Sequence, residues 1–238
     1  ESGGQVGDTG EIVTPEASLR VVDTRKPLEN LIVHVCEVVT GAIKTGATAT
    51  IKVSAERRQQ IVLNHTATHL LQASLQNILG DHVKQAGSLV TPERLRFDFT
   101  HFSPVNQDEL RQIENQVNRQ IRLNNAVASR EMAADQASEA GATALFGEKY
   151  GDVVRVISVG DYSMELCGGT HARAAGDIGL FRIVSEGGIA AGVRRIEAVT
   201  GATALEQVHE QQDSLLRLAH LIKTEPQNVE QRLQKLLD

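Results

Sequence analysis

Two histidines stand four residues apart in Asn64-His65-Thr66-Ala67-Thr68-His69, and a cysteine and a third histidine bracket two glycines in Cys167-Gly168-Gly169-Thr170-His171. On a helix, a spacing of four places both imidazoles on one face, one turn apart. Gly168 and Gly169 carry no Cβ, which lets the backbone turn sharply enough to aim the thiolate and the imidazole at one point. His65, His69, Cys167 and His171 together make a His3Cys set, and soft sulfur with imidazole selects Zn2+ over Mg2+ or Ca2+. Neither pair is specific alone, since helical histidines are more often packed or solvated. It is the conjunction of the two pairs that points to a metal. His34 and Cys36 also share a strand face, but they have no second ligand pair, so packing is the expectation there.

The elements that must position these residues can be read from periodicity. Residues 1–54 show short alternating or β-branched runs at 31–39 and 47–53, separated by turn residues at Gly3-Gly4, Gly7-Asp8, Gly10, Asn30, Gly41 and Gly46. This predicts a small antiparallel sheet or barrel, with residues 1–10 readable equally as a linker. From 55 to 79, Ile61, Thr68, Leu70, Leu71, Leu75 and Ile78 recur at helical spacing and Gly80 stands at the stop position, so one long helix carries both motif histidines. Strands at 87–90 and 94–99 follow. Ser103-Pro104 predicts the start of a helix to about 124. A strand at 126–131, a helix at 133–140, and strands at 153–159, 163–166, 178–185 and 193–199 complete the pattern. The grouping predicts an α+β architecture with helices packed on one face of an antiparallel sheet.

After Gly201, Leu205, Val208, Leu215, Ala219 and Ile222 suggest a helical arm, either a coiled-coil start or a simple packing helix. Thr224-Glu225-Pro226-Gln227 predicts a capped start for a second helix. The acidic stretch from Asp135 to Glu148 is expected to be solvated surface.

The 238 residues are 41% hydrophobic, enough to bury a core, and no apolar run nears the ~20 residues that cross a bilayer. A net charge of −6 argues against a non-specific nucleic-acid coat, and 3% aromatics with no tryptophan leave little for base-stacking platforms. Any RNA contact should be narrow. Two distant cysteines do not form a disulfide framework, and reduced thiols in a cytoplasmic setting are expected. The chain opens at Glu1 without a methionine, so it is expected to come from a longer protein.

His65-Thr-Ala-Thr-His69, Gln85-Ala-Gly-Ser-Leu-Val90, Arg96-Phe-Asp-Phe99, Cys167-Gly-Gly-Thr-His171 and the run from Gly187 through Gly192 to Ile196 resemble the editing domain of alanyl-tRNA synthetase. The resemblance covers essentially the whole chain. It implies a small β-barrel at 1–54, a zinc-containing editing core at 55–201, and at 202–238 a helical arm leading to a C-terminal region through which the parent could oligomerise. It implies Zn2+ as cofactor and the acceptor end of tRNA(Ala), mischarged with serine or glycine, as partner. A free-standing deacylase shares the same motif pairs, and a non-catalytic zinc module that binds tRNA is the rival from another class. The chain lacks class II activation motifs, so no aminoacyl-adenylate formation is expected from it.

The resemblance and the chemistry together nominate three further residues. A synthetase pocket sized for alanine cannot exclude glycine and only weakly rejects serine, because one small group is worth about 1–3 kcal/mol. A second, hydrolytic site needs a polar group that rewards serine's hydroxyl, and Thr68, between the motif histidines, is the candidate; a helical threonine can instead bond back to its own turn. Gln85 would position the ester or the attacking water. Of Arg194 and Arg195, alternate on one strand, only one can face the site, and Arg194 is preferred for phosphate or terminal ribose. Four protein ligands suit a structural zinc, so whether the ion activates or only orients stays open.

Overall fold

The computed structural model describes residues 4–28, 31–144 and 151–237. The turn expected at Asn30, the start of the opening segment and the acidic end at Glu148 lie outside the described residues. The chain is α+β. Strands β1 (Gly10–Val13), β2 (Ala17–Leu28), β3 (Leu31–Gly41) and β4 (Thr50–Val53) form an antiparallel sheet of order β3-β2-β1-β4. Only four residues of the run expected at 47–53 join it. β1 pairs with β2 on one side and β4 on the other, placing Gly10 opposite both Val21 and Val53. Helix α1 (Ala55–Leu79) follows at once and ends at Gly80, whose φ of 112° few side chains could adopt.

Next come β5 (Gln85–Val90), β6 (Leu95–Thr100), α2 (Gln107–Leu123), β7 (Val127–Ala133), α3 (Ala134–Glu139), β8 (Val153–Val159), β9 (Ser163–Leu166), β10 (Phe181–Ala190) and β11 (Val193–Thr200). They build two antiparallel sheets, β10-β11-β6-β5 and β7-β8-β9. The chain ends in α4 (Gly201–Leu221) and α5 (Val229–Leu237).

Three local expectations are corrected. The second helix begins at Gln107, not at Ser103-Pro104: the Asn106 side chain accepts from the Asp108 and Glu109 amides while Glu109 accepts from the Asn106 amide, a reciprocal cap stronger than a proline signal. The strand expected at 178–185 starts at Phe181, because residues 175–178 form a 3-10 turn. Thr224 caps nothing; a short 3-10 turn at Pro226–Asn228 precedes α5 and no side chain caps it.

The core lies between the four-stranded sheet and the helices on one of its faces. Along β6, Leu95, Phe97 and Phe99 alternate with Arg96 and Asp98, and along β11, Ile196 and Ala198 alternate with Arg195 and Glu197. The apolar set packs against Leu70, Leu71 and Leu75 of α1 and Ile113, Val117 and Ile121 of α2. That is period-two patterning with one face buried. Helix α1 is fixed laterally as well. Asn64 donates to the carbonyls of Thr91 and Pro92 and accepts from the Thr200 hydroxyl at 2.8 Å, and the Ser74 and Tyr162 hydroxyls meet at 2.8 Å.

Candidate metal centre

Every residue from 64 to 72 of α1 is buried, so this stretch of helix is enclosed on all sides. Its two motif histidines face the loop that follows β9, where Cys167 leads into the paired glycines. The nitrogen and sulfur donors of His65, His69, Cys167 and His171 all lie within 4.8 Å of one another. Cys167 Sγ is 3.4 Å from His65 Nε2 and 3.3 Å from His171 Nε2. Zn–N and Zn–S bonds of about 2.0 and 2.3 Å in a tetrahedron require donors roughly 3.3–3.5 Å apart, a spacing that both sulfur–nitrogen distances meet.

The hydrogen bonds behind two of the rings, His65 and His171, settle which nitrogen each presents. Gln5 Oε1 accepts from the Thr170 amide at 2.9 Å, which fixes that atom as oxygen, so His65 Nδ1, 2.8 Å away, must be the donor. The Thr66 hydroxyl spends its proton on the Val62 carbonyl at 3.0 Å and accepts from the Ala172 amide at 2.9 Å. His171 Nδ1, at 3.3 Å, therefore donates to it as well. His69 Nδ1 lies 3.0 Å from Glu165 Oε2. His65 and His171 thus turn a lone pair on Nε2 toward the centre, while the Glu165 carboxylate stands beside His69 Nδ1, and outer partners of this kind orient metal-bound imidazoles.

The loop itself is held by Arg155, whose Nη1 donates to the carbonyls of Cys167 and Gly169 at 3.1 and 2.5 Å. A Cβ on Gly169 would overlap the His65 ring. Glycine is required there for close approach.

The electrostatics follow from burial and crowding. Burial, then the neighbouring His69 and Arg155, holds His65 well below the usual histidine range. Burial, with His69 and His65 beside it, does the same to His171. For His69 burial also opposes charge, but Glu165 and Cys167 outweigh it and raise its pKa to about 10. One cation beside one carboxylate is the charge pattern a metal ion would replace.

Thr68 is buried within the motif helix, and its hydroxyl donates to the Asn64 carbonyl at 2.8 Å. The back-bond foreseen as the simpler reading is present, leaving the oxygen able only to accept. Gln85 opens β5, two residues earlier than the strand was expected, and lines a cleft with Gln72, Gln76, Lys84 and Thr143. Gln85, Phe99 and Arg194 lie in one row across β5, β6 and β11, on the face that carries the helices. Arg194 forks onto Glu186 at 2.6 and 2.8 Å. Arg195, on the opposite face, forks onto Asp98 at 2.7 and 2.8 Å. Arg194 and Arg195 thus lie on opposite faces of β11, and two β-sheet spacings separate Arg194 from β5.

Sequence reasoning missed Gln5, Thr66, Arg155 and Glu165. Thr66 and Glu165 lie within or beside the two motifs and could have been found by asking what accepts each Nδ1–H. Gln5 gives no local signal. Cys36 and Cys167 are both free thiols, and His34 and Cys36 are half-buried on β3, outside any ligand cluster among the described residues.

Residues 154–197 match the family model described as the second additional domain of threonyl and alanyl tRNA synthetases. They contain most of β8, β9, Cys167, His171 and most of the β10–β11 hairpin, so the match covers the Cys167–His171 half of the candidate site. Across its full length the chain is 55% identical to a segment of the alanine–tRNA ligase of Methylococcus capsulatus, covering 28% of that protein. It is 54% identical over 99% of its length to that of Desulfosudis oleivorans and 50% identical over all of it to that of Acetivibrio thermocellus, covering 27% of each. The chain therefore spans little more than a quarter of the length of the relatives it matches. It is related, over its whole length, to one segment of the alanine–tRNA ligases, as its motifs indicated.

Proposed function

We propose that this chain is the editing segment of an alanine–tRNA ligase, hydrolysing the ester of seryl- and glycyl-tRNA(Ala). The observation that carries the reading is the convergence of four N and S donors, three on buried residues and one on the half-buried His171, beside a polar cleft, in a chain similar over its whole length to alanine–tRNA ligases. On this reading, residues 1–54 are the small β unit, 55–201 the hydrolytic core and 202–238 the arm toward the rest of the synthetase, and the setting is cytoplasmic.

His65, His69, Cys167 and His171 would hold Zn2+, which when bound supplies Lewis acidity toward the ester. Thr68, its proton committed to Asn64, accepts a hydrogen bond from the seryl hydroxyl. Gln85, at the mouth of the cleft, orients the ester. Arg194 keeps Nη1 outside its fork with Glu186 and offers it to a phosphate of the acceptor end.

Metal analysis coupled to deacylation tests this. We expect one zinc per chain and hydrolysis of seryl-tRNA(Ala), with Cys167→Ala losing both. A second reading, a zinc module that binds tRNA without cleaving it, is favoured by the fourfold protein ligation, which fills a tetrahedron. Stoichiometric zinc in an intact protein that leaves seryl-tRNA(Ala) uncleaved would decide for it.

A further inference from the structure

Gln72 continues the stripe of α1 that carries His65 and His69, and it sits three residues, about 4.5 Å of helix axis, beyond His69. It is 2% exposed, and its Oε1 is buried without a protein hydrogen-bond partner. It borders the cleft with Gln76, Lys84, Gln85 and Thr143. The far wall of that cleft is tied to the metal centre, because Thr143 bridges to Glu165, whose carboxylate meets His69.

The other glutamine on this stripe is committed to the fold. Gln76 donates to the Val83 carbonyl at 3.0 Å and closes the end of the helix. Nothing comparable occupies Gln72 Oε1. Natural cores seldom leave a buried amide oxygen unpaired, and those that do so beside a cleft mark a place where something else supplies the partner.

We infer that Gln72 is a specificity-determining residue, its Oε1 sharing with the Thr68 oxygen the single proton of a bound seryl hydroxyl in a three-centre hydrogen bond. The inference rests on the hydrolytic reading above and deepens it. A neutral amide both donates and accepts, which suits a hydroxyl; an ammonium group would call for a carboxylate. The same amide works against alanine. A methyl group placed against it would keep solvent out and leave it unpaired, whereas glycine, with no side chain, leaves room for water. One buried polar group thus rewards serine, tolerates glycine and penalises the cognate alanine, and missing hydrogen-bond partners are what such sites discriminate on most sharply.

The test compares kcat/KM for seryl- and alanyl-tRNA(Ala) in the full chain, wild type against Gln72→Met and Gln72→Leu, with zinc content measured on each. Calorimetric binding of non-hydrolysable seryl- and alanyl-amide analogues of adenosine provides a readout independent of turnover. The expected result is unchanged zinc, a serine-over-alanine ratio reduced about 10-fold in kcat/KM, and the same loss in analogue binding. A wild-type ratio in both variants, or an equal fall for both esters, overturns the proposal. So does loss of zinc in both, which would make the amide a structural group. If wild type neither cleaves seryl-tRNA(Ala) nor binds the seryl analogue, the hydrolytic reading fails, and the inference with it. Wild-type cleavage with an unaltered variant ratio condemns the inference alone.

Discussion

Helices α1 and α4 are of similar length, 25 and 21 residues, and both carry regularly spaced leucines, yet they live in opposite environments. α1 is enclosed between the main sheet, α2 and the β9 loop, so that even His65, Thr68, His69 and Gln72 are buried. α4 buries only Ala204 and Ala219 and leaves Leu205, Leu215, Leu216, Leu218 and Leu221 between 42% and 73% exposed. A helix buried on every side can hold imidazoles and amides in a low dielectric at fixed positions, which is what metal ligation and hydroxyl discrimination require. A helix buried along a single edge cannot. The candidate site therefore lies where packing over-determines the backbone.

The comparison is tested most severely by a core leucine. Leu71 is fully buried against Phe97 and Phe99, and Leu71→Ala should cost about 2–5 kcal/mol of unfolding free energy in urea titrations. A loss below 1 kcal/mol would mean that α1 is not held as described.

The next effect is electrostatic and is read from stability against pH in chelator-treated protein. His65 and His171 titrate below the unfolded value of about 6.5, so the folded state resists their protonation and stability is lost as pH falls beneath 6.5. His69 titrates above it. Its contribution is complete below pH 6.5 and disappears as pH rises toward about 10. From these three groups, the urea midpoint of the metal-free protein should peak near pH 6.5 and decline on both sides. Zinc loading should remove the alkaline decline, because ligation already takes the proton from His69. An alkaline limb that persists unchanged with zinc would exclude His69 as a ligand.

What the sequence revealed divides along the same line. The bounds of α1 were legible because a 3.6-residue period ran to a glycine, and the four candidate donors that the fold brings together were legible because each pair is local. The start of α2 was misread because Ser103-Pro104 imitates a helix start while Asn106 and Glu109 form the actual cap. That the strands separate into three sheets depends on pairings between distant segments, such as β11 with β6, which no window of sequence displays. Gln5 reaches His65 across 60 residues, and Arg155 braces a loop a dozen residues away. Outer partners of a site are set by tertiary contact, so they stay hidden even when the ligands themselves are plain.

The smallest expected effect belongs to α4. Leu216 is 47% exposed, and Leu216→Ala should change unfolding free energy by no more than about 0.5 kcal/mol, since it empties no cavity and uncovers little surface. The measurement sharpens the contrast with Leu71 because both substitutions remove the same atoms from helices of similar length. If Leu216→Ala costs as much as Leu71→Ala, the exposed leucine stripe of α4 must be covered in solution. Sedimentation at several protein concentrations would then show whether a second copy covers it, because stability that depends on self-association rises with concentration. A concentration-independent loss would instead place α4 against its own chain and remove the distinction between the two helices.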